Sequence, residues 1–182
     1  MQGDRAWMYW SFNKDVRGFG SSLEAALFEY NIPVSVHSRL IEDVHANLPT
    51  LHRYLRLRQK IMGLPSLGYQ DLYAPIVERV DLGFTPEEGM KLTLEAFAPL
   101  GEDYVETLRR GYASRWVDFL PSTGKRPGAY SSTVYGVHPF QLLNYNGAWE
   151  DVSTLAHESG HSMHSYLANA SQPYPTADYS IF

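Results

Sequence analysis

Cysteine is absent from the 182 residues, which excludes disulfides and thiolate metal sites and leaves any metal chemistry to histidine and carboxylate. Basic residues are in the minority, 15 Lys and Arg against 20 Asp and Glu for a formal net charge of −5, and that balance argues against nucleic acid as a partner. No apolar run reaches the length of a bilayer span and no charged-then-apolar leader opens the chain, so the expectation is a soluble, cytoplasmic protein without a membrane partner. Internal repeats and low-complexity tracts are also missing. What remains is 44% hydrophobic and 14% aromatic, enough for one sizeable core.

A local absence is more informative. From Glu150 to Ala168 there is no Lys or Arg, although Val152, Leu155, Ala156, Met163, Tyr166 and Leu167 recur at helical spacing and predict one apolar stripe. The opposite face carries His157, His161 and His164 among Ser, Thr and Gly. A solvated face would be rich in lysine and glutamate, so this one is expected to line a cleft. Gly160 points the same way, because a mid-helix glycine costs about 1 kcal/mol relative to alanine and is tolerated best where a backbone or ligand comes close.

Within that helix, His157-Glu158-Ser159-Gly160-His161 has the spacing of a zinc peptidase core. Histidines four residues apart lie about 40° apart around a helix and about 6 Å apart along it, so both imidazoles can reach one Zn2+. Glu158, beside them, is placed to act as general base on an activated water. His164 lies about 10 Å along the axis from His157, too far to share a single zinc, and is expected to pack or hydrogen-bond. Asp178 sits among Pro173 and Pro175 and reads as a turn or cap residue. A catalytic zinc site wants three protein ligands, and only two are legible here.

Elsewhere the local signals are mostly helical. Ser21 or Ser22 can cap a helix through about Tyr30, Pro33 suits the first turn of the next, and Pro49 is expected to divide that one from a third ending near Gly63. Thr85-Pro86-Glu87-Glu88 is a capping box predicting a helix over 86–97, with another after Gly101. Residues 121–128 read as loop, and 130–145 as a short antiparallel pair rich in aromatic and β-branched residues. Asn146-Gly147 makes the turn into the histidine helix. The basic run 52–60 reads as a solvated helix face, His37, His45 and His52 as surface or satisfied histidines, and 124–128 as an ordinary loop, since it lacks the phosphate-loop spacing and Pro127 removes a donor.

Four stretches, SSLEAALFEYNIPVSVHSRLIEDVHANLPTLHRYLRLRQKIMGL (21–64), EAFAPLGEDYVETLRRG (95–111), GKRPGAYSSTVYGVHPFQLLNYNG (124–147) and DVSTLAHESGHSMHSYLANASQPYPTADYSIF (151–182), resemble oligoendopeptidase F, in the thimet-oligopeptidase-like family of zinc metallopeptidases. The resemblance implies a mainly α fold with a small antiparallel β element and a zincin-type active-site helix, within a larger helical catalytic domain. The expected division is 1–120 helical, 121–147 loop and β, 148–182 zinc helix and following loop. It implies one Zn2+ held by His157 and His161, Glu158 as base, and hydrolysis of internal bonds in short peptides. The third ligand would be a glutamate beyond the motif at 177–182, and the groups stabilising the oxyanion would also lie downstream. Met1 to Phe12 resembles family interior, so the chain is expected to be an internal fragment, weakly active or inactive alone. Tyr130 and His138, on the segment before the zinc helix, are the expected substrate-lining residues. The alternatives are a non-catalytic zinc-binding module and a purely structural helical fragment.

Overall fold

The computed structural model describes residues 2–76 and 82–179, with side chains from residue 8 onward. Met1 and Ser180, Ile181 and Phe182, which the resembling motifs include, lie outside the described residues. The chain forms two compact units, dividing at 79 and 80. No helix of the described residues is long and apolar enough to cross a membrane.

The first unit is helical: α1 (Gln2–Arg17), α2 (Ser22–Phe28) and α3 (Val34–Ile61). Ser21 caps α2, its side chain accepting the Glu24 N–H. Pro49 was expected to end a helix, and instead α3 runs through it for 28 residues. Proline forfeits one backbone bond and costs about 3 kcal/mol, which an otherwise favourable run such as Leu55 to Lys60 can offset. The end falls where the sequence puts it. Gly63, at φ 64°, sends its N–H to Lys60 O while Leu64 N–H reaches Gln59 O, a Schellman closure that glycine adopts without a Cβ penalty. The basic run is not wholly solvated, since Arg58 is buried and donates to the carbonyls of Asp71 and Ala74.

The second unit holds α4 (Pro86–Ala96), α5 (Glu102–Ala113), β1 (Val117–Asp118), β2 (Tyr130–Ser132), β3 (Phe140–Leu142) and α6 (Trp149–Ser171). The capping box forms: Thr85 Oγ1 accepts the Glu88 N–H and Glu88 Oε2 accepts the Thr85 N–H. The Thr85 hydroxyl also donates to Glu88 Oε2 at 3.0 Å, and the two bonds that reach this carboxylate, from the Thr85 backbone N–H first and the hydroxyl second, hold it below its usual pKa. The expected antiparallel pair is β2 on β3, with Tyr130 opposite Leu142 and Ser132 opposite Phe140. Sequence reading missed β1, which joins β3 in parallel to give the order β1-β3-β2. Two residues are too few to show a period, and their apolar-polar step alone carries no strand signal.

The core gathers Leu94, Leu108, Trp116 and Met163, with Phe97, Tyr104 and Tyr166 packed around it. Two glycines permit this closeness: a Cβ on Gly89 would stand 2.6 Å from the Tyr145 hydroxyl, and one on Gly111 2.5 Å from the Trp116 ring. Lys125 ties the 121–128 loop to β1 through the carbonyls of Asp118 and Leu120 and the Asp118 carboxylate.

Candidate active site

Helix α6 starts at a turn in which Gly147, at φ 90°, relieves the backbone and the Asp151 carboxylate accepts the N–H groups of Asn146 and Ala148. Val152, Leu155 and Met163 are buried as expected, but Leu167 is exposed. The buried face is rotated toward serine: Ser159, Ser162 and Ser165 are inside, and so is Glu158 at 8% exposure. Hydroxyls meet hydroxyls there. Ser162 pairs with Ser131 on β2 at 2.8 Å, and Ser159 with the Tyr112 hydroxyl on α5 at 2.7 Å and with Gln141 Nε2 on β3 at 3.4 Å. Gln141, 3% exposed, leaves its Oε1 without a partner among the described residues. Burial raises the Tyr112 phenol to about 12, with its hydrogen bonds to Ser159 and Thr93 opposing the shift. Polar residue types hid this network from sequence reading, because serine at helical spacing carries no burial signal.

On the free face, His157 and His161 converge. Their Nε2 atoms are 3.2 Å apart and their rings cross at 74°. Two nitrogens bound to one tetrahedral zinc at about 2.0–2.1 Å stand about 3.3 Å from each other, so the pair has the spacing of two donors to one ion. His161 Nδ1 lies 3.0 Å from the Tyr179 hydroxyl. The donor chemistry and spacing therefore fit a zinc ion. Among the described residues no group of three or more His, Asp or Glu could complete such a site. His164 stacks on the Tyr179 ring at 4.1 Å, and the Asp178 carboxylate accepts the Tyr179 N–H. Gly160, expected to meet a close neighbour, has nothing within 4 Å of an added Cβ among the described residues.

Glu158 follows His157 by about 100° around the helix, one turn before Ser162 and therefore toward β2. It has no ion-pair partner among the described residues. Among the described residues β2 is an edge strand of the sheet. Gln141 and Leu143 send their N–H groups to Trp116 O and Asp118 O on the β1 side, so the Ser131–Gln141 pair is a non-hydrogen-bonded one and the Ser131 N–H and C=O point out from the edge.

Among the described residues neither Tyr130 nor His138 shares a hydrogen bond or a ring contact with the histidine pair. Tyr130 is 47% exposed. One residue from Ser131, its side chain takes the sheet face away from α6, where with Arg115, Asp118, Ser132 and Phe140 it lines an open groove of ≈ 500 Å³. The His138 ring stacks on Trp116 at 5.8 Å and 6°, and its Nδ1 lies 2.8 Å from Pro139 O.

The fold is mainly helical, with the histidine helix α6 packed on a small mixed sheet. Residues 13–182 match the profile of peptidase family M3, and the chain belongs to that family. Oligopeptidase PepF of Bacillus subtilis is 42% identical over 172 residues, 94% of this chain and 26% of that protein. The chromosomal oligoendopeptidase F of Lactococcus lactis is 40% identical over 172 residues, 94% of this chain and 28% of that one. A crystal structure from Chlamydophila abortus of a protein assigned as a peptidase superposes with a TM-score of 0.78 at 38% identity, covering 97% of this chain and 29% of that chain. The chain thus spans little more than a quarter of the curated relatives it matches.

Proposed function

We propose that this chain supplies part of the active site of a zinc metalloendopeptidase that hydrolyses internal bonds of short peptides. The observation that carries the reading is the 3.2 Å approach of the His157 and His161 Nε2 atoms with buried Glu158 between them in sequence. His157 and His161 would hold the metal, with the third donor, a glutamate by resemblance, outside the described residues. A zinc ion bound there supplies Lewis-acid polarisation of the scissile carbonyl and an acidified water. Glu158 takes the proton of the attacking water and later delivers it to the leaving amine. An extended peptide pairs its backbone with the Ser131 N–H and C=O at the edge of β2, so main-chain bonds give affinity with little demand on sequence. Tyr130, on the face of that strand away from α6, and His138, stacked on Trp116, would meet peptide residues beyond the scissile bond. Substrate-sized peptides, and a cytoplasmic setting without nucleic-acid or membrane partners, belong to the same proposal.

The test is Glu158→Gln in a chimaera where this segment replaces the matching segment of the Bacillus subtilis PepF. Cleavage of a quenched fluorescent peptide should fall by at least about 100-fold with zinc content unchanged. Undiminished cleavage sinks Glu158 as base. Loss of zinc together with activity would sink Glu158 as base by tying it to metal retention, and a chimaera that binds zinc and cleaves nothing even before the substitution would favour the non-catalytic zinc-binding reading.

A further inference from the structure

Among the described residues, Tyr179 brings a hydroxyl and a ring from outside α6 onto the histidine face. Its hydroxyl lies 3.0 Å from His161 Nδ1, its ring stacks on His164 at 4.1 Å and 17°, and it runs parallel to the His161 ring at 6.1 Å and 10°. This placement is built by the segment after α6. Gln172 N–H closes the helix onto Ala168 O, the Tyr135 hydroxyl donates to Gln172 O, and the Tyr135 and Tyr174 rings meet edge to face. Residues Tyr174–Thr176 form a 3-10 turn between Pro173 and Ala177, Ala177 is buried, and Asp178 accepts the Tyr179 N–H. Two prolines and a buried alanine leave this backbone few other courses, so the tyrosine is delivered to the helix rather than left to find it.

We infer that Tyr179 is a positioning residue: its phenolic oxygen accepts the His161 Nδ1–H, which fixes the tautomer that presents a free Nε2 lone pair, while its ring packed on His164 fixes the imidazole plane. The inference rests on the reading of His157 and His161 as metal donors. The physical logic is that of an outer partner to a metal ligand. Neutral imidazole exchanges its proton between two nitrogens, and only the Nδ1–H form can ligate through Nε2. Without a partner at Nδ1, part of the population carries its proton on the nitrogen needed for the metal, and the Nε2–Nε2 approach to His157 can close as a simple N–H···N bond. Such outer partners typically change metal affinity by about 10–100-fold. The sequence offers a weak pointer: Tyr179 follows two prolines and a short acid, which marks a turn and hides the direction of the ring.

The experiment titrates the chain with zinc chloride by calorimetry, as wild type and as Tyr179→Phe, Tyr179→Ala and His161→Ala, and records 15N shifts of the metal-free histidine rings. Tyr179→Phe keeps the ring and removes the oxygen. The expected result is a loss of zinc affinity of about tenfold, together with a shift of the His161 tautomer toward Nε2–H in the metal-free chain. Unchanged affinity and tautomer in Tyr179→Phe overturn the inference while leaving the histidine pair standing. Loss in Tyr179→Ala but not in Tyr179→Phe overturns the role of the oxygen. A wild type that takes up no zinc, or His161→Ala that binds as well as wild type, overturns the metal reading and this inference with it.

Discussion

Two helix-interior glycines should respond to the same substitution with opposite sign. In Gly111→Ala the new methyl would stand 2.5, 2.7 and 2.9 Å from Cε3, Cδ2 and Cζ3 of Trp116. Carbon atoms rest at about 3.5–4.0 Å, so the indole would have to recede by about 1 Å. It has little room: Trp116 is 7% exposed and packs with Leu94, Leu108 and Met163, and its backbone N–H is bonded to Gly111 O at 3.1 Å. Overpacking of this kind costs about 1–3 kcal/mol, against a helix-propensity gain of at most about 1 kcal/mol so near the end of α5. The expected net loss is about 0.5–2 kcal/mol. In Gly160→Ala the methyl meets nothing within 4 Å among the described residues, so only the propensity term acts and the chain should gain about 0.5–1 kcal/mol. Urea unfolding followed by far-UV circular dichroism measures both, with the midpoints moving apart and the slope m unchanged. A Gly111→Ala chain as stable as wild type, or a destabilised Gly160→Ala chain, would refute the packing described around α5 and α6.

Leu108, fully buried in the same cluster at 0% exposure, should cost about 2–5 kcal/mol when changed to alanine, read from the same denaturation curve. Thr85→Ala removes the cap of α4 and should cost about 1 kcal/mol, with the Glu88 carboxyl moving back up toward its ordinary pKa in a carboxylate NMR titration. Tyr112 gives a pH signature. Its folded pKa is about 12 against an ordinary value of 10.0, so the folded state holds the proton more tightly and its contribution is fully present below pH 10 and lost as pH rises toward 12. Stability measured across that window should fall, and should fall less in Tyr112→Phe.

The sequence spoke clearly wherever a local rule acts alone. The box at Thr85 and Glu88, the cap at Ser21 and the stop at Gly63 depend on a few neighbouring residues, and each formed where expected. Membership of the peptidase family was legible because long stretches resemble it. Long-range competition was not legible. Pro49 breaks a helix in isolation, but the run on either side of it continues as α3. Strand β1 exists only because β3 offers it a partner. The serines of α6 are buried because Ser131, Tyr112 and Gln141 arrive from three other elements, and the apolar stripe drawn from sequence ran one residue too far, to the exposed Leu167. Tyr179 became visible as a neighbour of His161 only once the backbone after α6 had folded back.

The measurement closest to the central claim is a zinc-edge anomalous difference map from crystals of the chain grown with zinc. The account predicts one strong peak within about 2.0–2.1 Å of Nε2 on both His157 and His161, vanishing in His157→Ala. A map with no peak there, or with zinc held by other residues while this pair keeps its direct contact, would contradict it.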